Sequence, residues 1–128
     1  MENSDFKFIG YRLVNFNFNV NDEFNIKPEE LEINTQVSTI ISPDNNRLAE
    51  IHLDVSLKTK LDTLQINLKI KGLFEGGKLM PDDIFTIMVN QNAPAVLYPF
   101  ARAIISSYTI QANIPPIVLP LINFQSKK

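Results

Sequence analysis

The sequence predicts an α+β domain: a four-stranded antiparallel meander sheet with two C-terminal helices packed on one face, and an extended Pro-rich tail. Three observations predict it. Between residues 6 and 74, apolar and polar residues alternate with a period of two in four successive runs, as in strands with one wet face and one dry face. After Gly76-Gly77 the apolar spacing becomes helical. From Asn92 to Phe124 the only charge is Arg102, and the stretch turns from helical spacing to an extended run rich in proline.

In the first strand Val14, Phe16, Phe18 and Val20 alternate with asparagines, whereas upstream Ile9, Tyr11 and Leu13 are the apolar set. That phase change predicts a β-bulge near Leu13–Val14. Residues 21–30 form a polar connection carrying Phe24 and Ile26. The second strand sets Leu31, Ile33, Thr35, Val37, Thr39 and Ile41 on one face, and Ser-Pro-Asp-Asn-Asn at 42–46 is a turn. The third places Ala49, Ile51, Leu53, Val55 and Leu57 together, and the fourth Leu64, Ile66, Leu68 and Ile70, with a tight turn near Lys60–Asp62 between them. Pro81, Asp82 and Asp83 suit a helix start. The main helix is expected to start at Asn92, which can cap the turn containing Pro94, and Pro99 predicts a kink, or a second start, at Leu97–Tyr98. Beyond it Ala101, Ile104, Ile105, Tyr108 and Ala112 form one apolar stripe, with Val96, Phe100, Ala103 and Ser107 beside it. A helix apolar around so much of its girth must be covered on more than one side. One small sheet covers one side, so the stripe is a candidate oligomer interface.

The chain reads as one domain, residues 1–128. Hydrophobic content of 45% and charged content of 20% are ordinary for a globular protein, and a net charge of −2 gives no case for nucleic acid. The absence of cysteine excludes disulfides and thiolate metal sites. The acidic N-terminus and the lack of a ~20-residue apolar run predict a soluble, cytoplasmic chain without membrane insertion.

Gly72 to Leu79 approaches a phosphate-binding loop, but Leu79 stands where a magnesium-binding hydroxyl is required, and the context is antiparallel. The lone His52 sits on a polar strand face. The Asp82–Asp83 pair suits the helix dipole better than acid–base work. The sequence therefore predicts no catalytic residues, no cofactor and no metal. Apolar residues concentrate instead in connections and tail: Phe24, Ile26, Leu73, Phe74, Ile117, Leu119, Leu121 and Phe124. Such residues invite an exposed patch.

Asn-Ala-Pro-Ala-Val-Leu-Tyr-Pro-Phe-Ala-Arg at 92–102, Ile-Ser-Ser at 105–107 and Pro-Pro-Ile-x-Leu-Pro-x-Ile-Asn-Phe at 115–124 resemble the C-terminal half of the SecB protein-export chaperone family. The resemblance extends more loosely to Arg12–Asn19 and Lys71–Phe74. It implies a SecB-like subunit in a homo-tetramer built as a dimer of dimers, with helices between outward-facing sheets. It also implies an ATP-independent holdase whose grooves take unfolded polypeptide. Phe24, Ile26, Leu73, Phe74, Tyr98, Ile117, Leu119, Leu121 and Phe124 are the candidate client-binding residues. Family members dock on the export ATPase through acidic residues of the wet sheet face. Here the corresponding positions are Asn15, Asn19 and Asn67, with Lys69 and Lys71 beside them. The chain stops four residues after Phe124, without the further helix and acidic tail typical of the family. A divergent relative is expected, serving unfolded clients generally or one dedicated partner such as an antitoxin.

Overall fold

The computed structural model describes residues 5–21 and 31–124. Four strands come first, β1 (Phe6–Val20), β2 (Leu31–Ile41), β3 (Leu48–Thr59) and β4 (Leu64–Gly76). Helix α1 (Asp82–Ile87) passes through a π-helical turn (Met88–Asn92) into helix α2 (Ala93–Gln111). All pairings are antiparallel, in the order β1-β4-β3-β2. The α+β class and the β2-β3-β4 meander match the sequence expectation. The first strand does not extend that meander beside β2; it lies against β4 at the opposite edge.

Alternation settles the register because a one-residue slip would turn every apolar side chain to water. Ile51, Leu53 and Val55 of β3 and Leu64, Ile66 and Ile70 of β4 are almost fully buried beneath the helices. The β3–β4 turn is closed by the buried Thr59, whose Oγ1 accepts from the amides of Thr63 (2.9 Å) and Leu64 (3.2 Å). The expected bulge is present: Leu13 pairs with Ile70 but Asn15 with Lys69, which leaves Val14 as the extra residue. A second bulge leaves Ile9 unpaired between Phe8 and Gly10. Two bulges keep Phe6, Phe8, Tyr11, Leu13, Phe16 and Phe18 opposite the dry-face positions of β4.

The helical part differs from expectation at the start of α2 and in the face that α2 buries. Asn92 does not cap a new helix; its backbone is itself helical and its side chain makes no capping bond. The irregularity falls in the preceding turn, where the Ala93 amide reaches back five residues to Met88 O. Opening the ladder there admits Pro94, which has no N–H to donate. Pro99 lies inside α2, which remains one helix to Gln111. The buried face of α2 is Leu97, Tyr98, Ala101, Ile105 and Thr109, so the buried stripe is rotated from the expected one. Gly72 allows the close approach of helix and sheet: a Cβ there would lie 2.6 Å from Leu97 Cδ2.

Arg47 pins the β2–β3 turn to the helix start. Its Nη2 donates to Met80 O and to the Asp82 carboxylate, both at 2.6 Å, and its guanidinium lies over the Phe85 ring. Asp82 and Asp83 do occupy the first helical turn.

Candidate functional site

The last described segment, residues 113–124, runs back along α2 without forming a strand. Helix side chains bind it, one helical turn apart. Tyr98 Oη donates to Pro120 O (2.6 Å), Arg102 Nε to Leu119 O (3.1 Å) and Ser106 Oγ to Ile117 O (2.8 Å). Thr109 Oγ1 accepts from the Ile117 amide at 3.2 Å. Positions 98, 102 and 106 line one helix face because side chains four apart are neighbours. At these three positions the helix donates and the tail carbonyls accept, while at Thr109 the direction is reversed. Ile117, Leu119 and Phe124 are buried beside this comb, with Phe124 edge-on to Tyr98. Burial pushes the Tyr98 phenol above its ordinary pKa, against the opposing influence of Arg102.

Between the tail and β2 lies a hollow of about 260 Å³, lined by Ile33, Thr35, Val37, Pro120, Ile122 and Phe124. Further along the same face of β2, Thr39 and Ile41 help line a second hollow of about 500 Å³ with Phe85 and Val89. Both lie along an outermost strand of the sheet, whose far side has no partner strand among the described residues; the first is a mainly apolar furrow, whereas Asn46, Arg47, Asp82, Thr86 and Asn90 also line the second. A second apolar surface flanks β1. Val96, Tyr108 and Ile110 of α2 are 38%, 43% and 60% exposed, and Tyr11 and Leu13 of β1 are likewise partly open. Tyr11 stacks on Phe100 and Phe16 meets Tyr108, which joins helix and strand into one aromatic patch.

The outer sheet face is polar. Asn17, Asn67, Ser56 and Asn34 form an uncharged row across all four strands. Asn15 and Asn19 lie in the flanking rows, opposite Lys69 and Gln65. Lys71 holds Glu50 at 3.2 Å, and this bond keeps the Glu50 carboxyl below its ordinary pKa despite opposing desolvation. Lys69 faces Asp54 at 3.9 Å. His52 Nε2 lies 3.2 Å from Glu50 Oε2 but makes no hydrogen bond. Among the described residues, no group of three or more histidine, cysteine or acidic side chains gathers as a metal site would. No helix among them is long and apolar enough to cross a membrane.

The candidate client residues do not form one open patch. Phe24 and Ile26 lie outside the described residues. Phe74, Tyr98, Ile117 and Leu119 are buried in the core, because the tail folds onto the helix and seals them. Leu73 faces the outer side, since strand neighbours point oppositely. Leu121 is 82% exposed, and Phe124, though buried, lines the furrow. Of the candidate interface, Ala101 and Ile105 are fully buried within this chain. Ile104 is half-buried, and Tyr108 and Ala112 are open to a partner. The furrow-lining residues of β2 and the comb residues Arg102 and Ser106 were not singled out from sequence as binding groups. The spacing of Tyr98, Arg102 and Ser106 on an otherwise apolar helix is the signal that could have found the comb.

A family model described as Preprotein translocase subunit SecB matches residues 14–126. A Protein-export protein SecB from Rickettsia bellii is 32% identical over 87 residues, covering 67% of this chain and 57% of that protein. An uncharacterized protein of Methanocaldococcus jannaschii is 29% identical over 123 residues, covering 91% and 78% respectively. Among solved structures, the Mycobacterium tuberculosis SecB-like chaperone in complex with a ChAD peptide from the HigA1 antitoxin superposes with a TM-score of 0.75. That match has 14% identity and covers 93% of this chain and 88% of the other.

Proposed function

This chain belongs to the SecB family, and from that premise we propose that it is an ATP-independent holdase that captures non-native polypeptide in extended form along the β2 furrow. The observation that carries the reading is the apolar wall of Ile33, Val37, Ile122 and Phe124 beside an outermost strand. Apolar client side chains leaving water stabilise the complex by about 25 cal/mol per Å² without demanding a sequence. The outer strand offers main-chain groups for an added strand, and several weak subsites along one client raise the overall affinity. Leu121 extends the surface, and Phe24 and Ile26 of the 21–30 connection are proposed as further client contacts. The exposed side of α2 at Ile104 and Tyr108 is the contact between copies, in a dimer of dimers.

The test is aggregation of a chemically unfolded protein diluted into buffer with a stoichiometric amount of this chain. Suppression without ATP is expected, and Ile33→Glu should weaken client binding by about tenfold, the effect of losing roughly one apolar anchor. Undiminished aggregation across several unfolded proteins would overturn the reading.

A second reading has a specific observation behind it. The outer face presents Asn15, Asn19 and Asn67 where the resemblance implies acidic docking residues, and the structurally similar M. tuberculosis chaperone was solved with an antitoxin peptide. On this reading the chain holds one dedicated client and does not engage the export ATPase. Titration with the purified ATPase should then show no binding, and one tight partner should outcompete unfolded proteins of arbitrary sequence.

A further inference from the structure

We infer that the comb of Tyr98, Arg102 and Ser106 is a second polypeptide-backbone site, filled in cis by residues 115–124, and that a bound client displaces this tail from it. The inference rests on the holdase reading and adds a site and a competitor to it. Four observations support it.

First, the comb bonds only to main-chain carbonyls, those of Pro120, Leu119 and Ile117. Every residue of every client carries a backbone carbonyl, so this mode of recognition does not read sequence. Second, the tail is bound as an extended client would be. Its backbone lies alongside the helix without ladder pairing, while Ile117 and Leu119, two residues apart, insert into the core. Third, prolines at 115, 116 and 120 remove donors that the comb could not satisfy. An added client would bring N–H groups of its own, and the neighbouring furrow is bounded by the outer strand that could receive them. Fourth, tail and furrow share a wall: Pro120, Ile122 and Phe124 line the hollow against β2. A chain in the furrow therefore touches the tail as well as β2 and competes with the tail for apolar neighbours.

The Ile117 amide supplies the reporter, because its donation to Thr109 Oγ1 exists only while the tail is docked. Hydrogen exchange of the full chain is measured with and without saturating reduced, carboxymethylated lysozyme as a permanently unfolded probe. Displacement should speed exchange at Ile117 by at least about tenfold, as expected for local opening of the docked segment. A tail loosened by Leu119→Ala leaves the comb intact and should bind the probe about threefold or more tighter. Probe binding with Ile117 protection unchanged or increased would overturn the inference while leaving the holdase reading in place. A folded Leu119→Ala variant with unchanged or weaker probe affinity would overturn it equally. Should that variant fail to fold, exchange at Ile117 in the unmodified chain decides alone. A probe that does not bind at all removes the holdase reading itself, and the inference with it.

Discussion

Tyr98 shows how one side chain links core, tail and solvent conditions. Its ring is buried against Phe124 while its hydroxyl donates to Pro120 O. Removing that hydroxyl in Tyr98→Phe keeps the ring and loses a hydrogen bond, a cost of about 1 kcal/mol. Calorimetry should show this as a Tm lower by about 3–5 °C. The raised pKa gives a second readout with a definite sign. The unfolded phenol ionises near 10.0, the ordinary tyrosine value, whereas the folded one keeps its proton to higher pH. Between those two values the native state binds more protons, so stability falls as pH rises. The contribution is complete below pH 10 and is lost as pH passes the folded pKa. Denaturant titrations at increasing alkaline pH should show a loss of stability in the wild type that Tyr98→Phe lacks.

At the scale of elements, the fit of α2 on the sheet turns on Gly72. A Cβ at that position would lie 2.6 Å from Leu97 and 3.0 Å from Phe74, both buried side chains that would have to shift. Gly72→Ala should destabilise the fold by about 1–3 kcal/mol through overpacking, measured as a lower denaturation midpoint with an unchanged slope. The four strands were legible from sequence because burial of one face forces alternation, and the bulge at Val14 was legible as a break in that phase. The neighbour of β1 was not. Alternation says which way a side chain points but not which strand lies alongside, and residues 21–30 permit either arrangement. Crossing from one edge of a four-stranded sheet to the other takes about 14 Å, well within the reach of a ten-residue connection, about 33 Å. The π turn was hidden because Asn92 followed by Pro94 reads as a helix start when only local capping chemistry is considered. The candidate site was partly legible. Apolar residues in the tail drew notice, but the comb that fastens them did not, since isolated polar residues on an apolar helix look like interruptions of a stripe.

At the scale of the whole molecule, β1 and α2 leave Tyr11, Leu13, Val96 and Tyr108 partly open to water. Contiguous aromatic and aliphatic surface of this kind marks an interaction site. A charge at its centre leaves the fold of the subunit intact but opposes burial of that surface. Tyr108→Glu is expected to shift sedimentation from an oligomer towards the monomer, with unchanged far-UV circular dichroism. A monomeric wild type would refute the placement of the subunit contact.

The row of Asn17, Asn67, Ser56 and Asn34 on the outer face carries no charge, and beside it Lys69 faces Asp54 while Lys71 holds Glu50. Electric field from these cations is largely spent within the sheet, leaving little to draw a distant body inwards. Whatever settles there must find its place by short-range contact and ordinary diffusion. Its rate of arrival should consequently change little between dilute buffer and molar salt, unlike encounters governed by long-range attraction.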